Sequence, residues 1–181
     1  LRHTDVLLGL TPEQRDEFRA VLEQANQGRE LLAAERSDEA LPVLLASIGR
    51  HEALLGDEPY FLYDSYFDLG RIYVKKSRYD EADAAFERAQ SLIIESYAAE
   101  QLPEIYRKLL QFRADLEYKR GNLSKALTNW HQVREQYRLA GTANESGYLV
   151  ATHWVGYLSK ELQQFDQAEA AYRETAEIAA R

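Results

Sequence analysis

The sequence predicts an all-α fold, a right-handed superhelical α-solenoid of about four helical hairpins, with about eight helices in total. Three observations carry this. A set of small, alanine and bulky positions recurs along the chain at near-constant spacing. Turn residues separate the stretches that carry those positions. Runs of alternating polarity rich in Val, Ile and Thr, which would mark strands, are absent.

The elements follow in order from the recurring positions. The first unit, about 12–55, has Gly28 on its first helix (about 12–35) and Ala40 and Leu44 on its second (about 38–55), with a break at Ser37-Asp38. After Gly56-Asp57-Glu58-Pro59, the unit at about 60–98 has Gly70 on the helix at about 60–77. Ala82 and Phe86 lie on the helix at about 80–98, beyond Ser77-Arg78. The third unit, about 102–140, begins near Leu102-Pro103 and breaks at Gly121-Asn122, with Ala114, Ala126 and Trp130 in the same columns and helices at about 102–120 and 123–140. The fourth, about 145–181, follows the turn from Gly141 to Gly147 and places Gly156, Ala168 and Tyr172 on helices at about 145–162 and 165–181. The alanines at 40, 82, 126 and 168 are spaced by 42, 44 and 42 residues. Residues 1–11 read as an N-terminal tail or linker and 12–181 as one repeat domain. The physical sense of the pattern is close approach. A small residue on one helix and an alanine on the next let two antiparallel helices touch, and the bulky residue one turn later fills the space beside them.

Composition narrows the function. With 30 acidic and 22 basic residues, the net charge of −8 argues against a phosphate-tracking basic stripe, so nucleic acid is not an expected partner. The longest apolar stretches, such as Leu41 to Ile48, fall well short of the roughly 20 residues of a bilayer span, so no membrane partner is expected. Zero cysteines exclude disulfides and thiolate metal sites, and the cytoplasm is the simplest assignment. The chain starts at Leu1 and contains no methionine, as expected of a piece of a longer protein.

Chemistry-bearing patterns are sparse. His3, His51, His131 and His153 show no i, i+4 pairing of the kind that presents two imidazoles to a metal. Acidic pairs such as Glu13/Glu17 and Asp80/Asp83 read as solvated helix faces. Phosphate-binding glycine loops and the nucleophile elbow are missing. The expectation is therefore no enzyme, no catalytic residue, no metal and no cofactor. Tyr73, Tyr79, Tyr172 and Trp130 read as packing residues.

The columns, with Tyr79-Asp80-Glu81-Ala82 and Leu69-Gly70-Arg71-Ile72-Tyr73, resemble the tetratricopeptide repeat, the second unit (about 63–96) most of all. Repeats of that family usually run to about 34 residues, and in their greater length these are similar to the repeats of kinesin light chains and their bacterial relatives. The resemblance covers roughly 21–181. Gln27 and Arg113 stand where the family prefers an apolar residue, and Glu117 and Ser159 where tyrosine is common.

The resemblance implies that first helices line a concave groove that holds a partner. It assigns to that groove Ala25 and Arg29 in unit one, and Phe67, Asp68, Arg71, Val74 and Lys75 in unit two. In unit three it assigns Gln111, Phe112, Asp115, Tyr118 and Lys119, and in unit four His153, Trp154, Tyr157, Lys160 and Glu161. Rings interleaved with Arg and Lys suit peptide binding, while Phe112 and Trp154 could equally pack between units. Of a carboxylate clamp known in the family, Lys108 alone fits. The function expected is a non-catalytic module binding a peptide or helical segment of a partner protein. The alternative is a peptide-sensing regulatory module that controls an attached effector domain. On the last helix, Phe165, Ala168, Tyr172 and Thr175 serve its own hairpin, while Ala171 and Ile178 are expected to lie on other faces. That flank would be covered by further chain or by self-association.

Overall fold

The computed structural model describes residues 8–56, 59–96, 104–142 and 146–180. The chain forms an all-α helical-repeat fold. Eight helices of 15 to 22 residues follow one another among the described residues, and no strand occurs there. They are α1 Pro12–Ala33, α2 Ser37–Leu55, α3 Pro59–Lys75, α4 Tyr79–Ser96, α5 Glu104–Lys119, α6 Leu123–Leu139, α7 Ser146–Glu161 and α8 Phe165–Ala179. The expected breaks at Asp57-Glu58 and Leu102-Pro103, and most of the tail at 1–7, lie outside the described residues. Two compact units result, Leu1–Leu102 with α1 to α4 and Pro103–Arg181 with α5 to α8. In the first, α1 packs on α2, α3 on α4, and α3 touches both α1 and α2. In the second, α5, α6, α7 and α8 pack each on the next.

The recurring positions are where the hairpins close. A methyl group on Gly70 would lie 2.4 Å from the Phe86 ring, one on Gly28 2.6 Å from Leu44, and one on Gly156 2.9 Å from Tyr172. The bulky side chain therefore occupies the space that the small residue leaves empty on the facing helix. Ala40, Ala82 and Ala126 have no solvent exposure and Ala168 only 4%. Phe86 and Leu44 are completely buried, which by area alone stabilises each by about 1.5–3 kcal/mol. Leu32, Ala40, Leu44 and Ile72 form one cluster that joins the first hairpin to the second.

All four hairpin turns use the same backbone device. Glu35, Ser77, Gly121 and Gln163 have φ values of 61°, 57°, 80° and 59°. At the first turn the Arg36 N–H donates to the Leu31 carbonyl (2.9 Å) and the Glu35 N–H to the Leu32 carbonyl (3.1 Å). The other three turns repeat both bonds at 2.8–3.0 Å. This is a Schellman motif, and its left-handed residue ends each first helix one or two residues before the sequence suggests. Glycine fills that position only in the third hairpin. In the others a side chain sits at a conformation that costs about 1–2 kcal/mol.

Helix α1 opens on a capping box: the Gln14 N–H donates to Thr11 Oγ1 (3.2 Å) and the Thr11 N–H to Gln14 Oε1 (2.9 Å), with Pro12 at the first helical position. The column where tyrosine is common is filled differently in each half. Tyr73 lies under the Arg78 guanidinium at 4.5 Å. One repeat later Glu117, only 5% exposed, accepts from Asn122 Nδ2 at 2.7 Å and pairs with Arg120 at 3.3 Å. A cation–ring contact has been replaced by a carboxylate–amide bond in the same place. Gln27 is exposed and Arg113 half-buried, so that column does not close the hairpin where it is polar.

The last helix departs from expectation. Phe165 is 65% exposed and takes little part in its hairpin, whereas Ala171 is 2% exposed and Ile178 is half-buried. Ala171 lies three residues after Ala168, so helical geometry turns it to the same face, toward α7.

Candidate functional site

The groove residues assigned to the first two hairpins, which together make the first compact unit, form an ion network. Asp68 on α3, 7% exposed, is bracketed by two guanidinium groups: Arg71 NH1 at 2.8 Å from Oδ1, and Arg29 Nε of α1 at 3.4 Å from Oδ2. Arg29 also faces Asp64 at 3.9 Å. Lys75 pairs with Glu35 in the first hairpin turn, and that bond holds the Glu35 carboxyl below its ordinary range. Arg71 also lies 5.9 Å above the Phe67 ring. Phe67 itself is 7% exposed, with its ring 6.0 Å from that of Phe86, so it is a core residue of the second hairpin rather than open surface. Ala25 is buried as well, and Val74 half-buried. The cations placed here by sequence are thus already compensated by carboxylates of the same unit.

The second unit is organised by rings. Trp154 of α7 stacks on Trp130 of α6 with centroids 5.5 Å apart and an interplanar angle of 5°. Tyr118 of α5 meets Trp154 edge-on at 5.3 Å, and Tyr157 meets it at 5.7 Å and 88°. The Tyr118 and Tyr157 hydroxyls are 3.2 Å apart, and their hydrogen bond is the main reason the Tyr157 phenol is pushed up to about 12. Tyr118, Trp154 and Tyr157 are all half-buried, so each offers surface while holding the others in place. Trp154 therefore does both things the sequence allowed: it packs between hairpins and keeps an accessible part.

Around the rings, Asp115 is half-buried and burial pushes its carboxyl up, with Lys119 opposing. Gln111 and Phe112 are half-buried and Lys119, Lys160 and Glu161 exposed. Lys108 is paired with Glu104 at 2.9 Å. His153 is exposed, with its ring 5.8 Å from Tyr172 of α8. Sequence reasoning missed Asp64, one helical turn before Asp68; it read Trp130 as a packing residue, which its 3% exposure bears out, without pairing it with Trp154. Only the partner helices reveal that Asp64 faces Arg29 and that Trp130 is the base on which Trp154 rests. No group of three or more His, Cys, Asp or Glu placed to hold a metal occurs among the described residues, and no helix there is long and apolar enough to cross a membrane.

Helical hairpins closed by a small residue against a bulky one, with first helices carrying the polar and aromatic surface, define a helical-repeat protein. The particular kind is the tetratricopeptide repeat. Residues 63–93, within the second hairpin that the sequence singles out, match the family model of that name, and solved structures show that the chain has the tetratricopeptide-repeat fold. A variant of a Podosopora anserina putative kinesin light chain with nearly identical TPR-like repeats superposes with a TM-score of 0.72 at 16% identity, covering 88% of this chain and 74% of that one. MamA gives 0.65 at 15% identity, covering 88% of this chain and 78% of its own. BtubC (BKLC) from P. vanneervenii gives 0.55 at 16% identity, covering 93% and 57% respectively. At these identities the likeness is one of fold. No curated protein sequence matches the chain.

Proposed function

We propose that the chain is a non-catalytic protein-interaction module that binds a peptide or helical segment of a partner protein through the surface of its first helices. The observation that carries this reading is the half-exposed ring cluster Tyr118, Trp154 and Tyr157 on α5 and α7. Rigid rings give contact area at small entropic cost, and these are already held by one another and by Trp130, so little ordering is left for binding to supply. Lys119 and Lys160 beside them can meet carboxylates or carbonyl oxygens of a bound segment. Arg29, Arg71 and Lys75 of the first unit are compensated by carboxylates of that unit. A cytoplasmic setting suits such a module.

The test is a selection of peptides from a random display library against the chain, followed by titration of the selected peptides against the protein and its Tyr157→Ala variant. Weaker binding by Tyr157→Ala, titrated at a temperature where a melt shows the variant folded, supports the reading. Peptides that bind equally well to both proteins, or a library that yields none, would overturn it.

A further inference from the structure

A cavity of about 260 Å³ opens between α1, α2 and α3. Val21, Leu22 and Ala25 of α1 and Leu62 of α3 give it apolar walls. Its lining also includes Ser47 and His51 of α2 and Ser65 of α3, none more than 3% exposed. It has room for several waters, each of which takes about 30 Å³ in the liquid.

Two of the groups lining the cavity are charged and do not satisfy one another. Arg29 NH2 and Asp64 Oδ2 are 3.9 Å apart, beyond hydrogen-bond length. The rest of the Arg29 guanidinium is engaged, Nε toward Asp68 at 3.4 Å and NH1 donating to Asn26 Oδ1 at 2.9 Å. Burial raises the Asp64 carboxyl more than Arg29 lowers it, as expected of a carboxylate whose nearest cation is both distant and shared.

We propose that this cavity is a pocket for an uncharged carboxamide side chain, glutamine or asparagine, of a bound peptide, with the amide N–H donating to Asp64 and the amide oxygen accepting from Arg29. The proposal rests on the reading that the chain binds a partner peptide. A cationic side chain entering here meets Arg29, and an anionic one meets Asp64 with Asp68 behind it. An apolar one strips water from both charged groups and returns no hydrogen bond. A carboxamide carries a donor and an acceptor side by side on one carbon, matching an acceptor and a donor that face each other across a gap. Its methylene stem suits the Val21, Ala25 and Leu62 wall.

The experiment is a titration of the whole chain, followed by ¹H–¹⁵N correlation spectra, with N-acetyl methylamides of glutamine, asparagine, norleucine, glutamate, lysine and tyrosine. The backbone amides are common to all six, so differences report the side chain. The expected result is saturable shifts centred on residues 21–29 and 62–65 for the glutamine and asparagine probes alone. Binding should weaken roughly ten-fold in Asp64→Leu, which removes the acceptor, and in Ala25→Leu, which fills the pocket and leaves the polar pair intact. Thermal melts of both variants verify that they fold. Equal response to all probes, preference for a charged or tyrosine probe, no response at all, or binding indifferent to both substitutions would each overturn the pocket. The selected display peptides separate this from the broader reading. Peptides that bind without any glutamine or asparagine preference sink the pocket and leave the interaction module standing. Amide probes that bind where no peptide does would do the reverse.

Discussion

The two compact units carry the same hairpin but present opposite chemistry on their first helices. In the first, Asp68 sits between Arg29 and Arg71 while Lys75 reaches Glu35, so the face is a set of charges that cancel. In the second, Trp154 rests on Trp130 while Tyr118 and Tyr157 pack on Trp154 and on each other, so the face is a set of rings that support one another. The hairpins beneath are alike: Gly70 against Phe86 in the one and Gly156 against Tyr172 in the other. Closing a hairpin thus constrains one side of a first helix and leaves its other side free to be charged or aromatic.

The largest expected effect sharpens that contrast. Trp154→Ala removes contacts with Trp130, Tyr118 and Tyr157 together, and should cost about 2–4 kcal/mol in urea unfolding, somewhat below a fully buried tryptophan. A loss under about 1 kcal/mol would mean that the rings are surface decoration and the two faces are energetically alike.

Asp68→Ala should cost less, about 1–2 kcal/mol, because Arg29 and Arg71 keep enough exposure to regain water. Its cost should shrink in high salt, while that of Trp154→Ala stays constant or grows. If both respond to salt in the same way, the charge-versus-ring distinction fails.

The turns offer a change of opposite sign. Gln163→Gly relieves a left-handed residue and should stabilise the second unit by about 0.5–1 kcal/mol, the gain from lost strain being partly offset by glycine's greater freedom when unfolded. Gly121→Ala, in the same unit and the same place in the motif, should destabilise it by about 1 kcal/mol. Melts of the two variants compare them directly.

The smallest effect concerns Asp115, whose carboxyl is raised above its ordinary value of 3.8, first by burial. A carboxyl raised on folding favours the fold only while protonated, below 3.8, and loses that contribution as pH rises through the folded value. Asp115→Asn should therefore raise stability slightly at pH 7, and the gain should fade as pH is lowered toward 3.8. Denaturation curves at several pH values measure this, and a gain that grows in acid would reverse the assignment.

What could be read in advance divides along the same line. Gly28, Gly70 and Gly156, the alanines at 40, 82, 126 and 168, and the bulky residues after them mark the hairpins because contact between adjacent helices of one chain imposes a fixed offset in sequence. The left-handed turns were hidden, since Glu35, Ser77 and Gln163 carry no local sign of positive φ; the hydrogen bonds of two helices hold them there. Phe67 was misplaced because its position is defined by the ring of Phe86 on the next helix.

By itself the sequence determined the fold class, the number of hairpins and their close-packed columns, because each depends on residues a fixed distance apart along one chain. Only the tertiary structure decided which polar and aromatic residues face one another, that Arg29 stands 3.9 Å from Asp64 and that Trp154 lies flat on Trp130. Those pairings join helices from different hairpins, where sequence separation no longer sets distance and packing does.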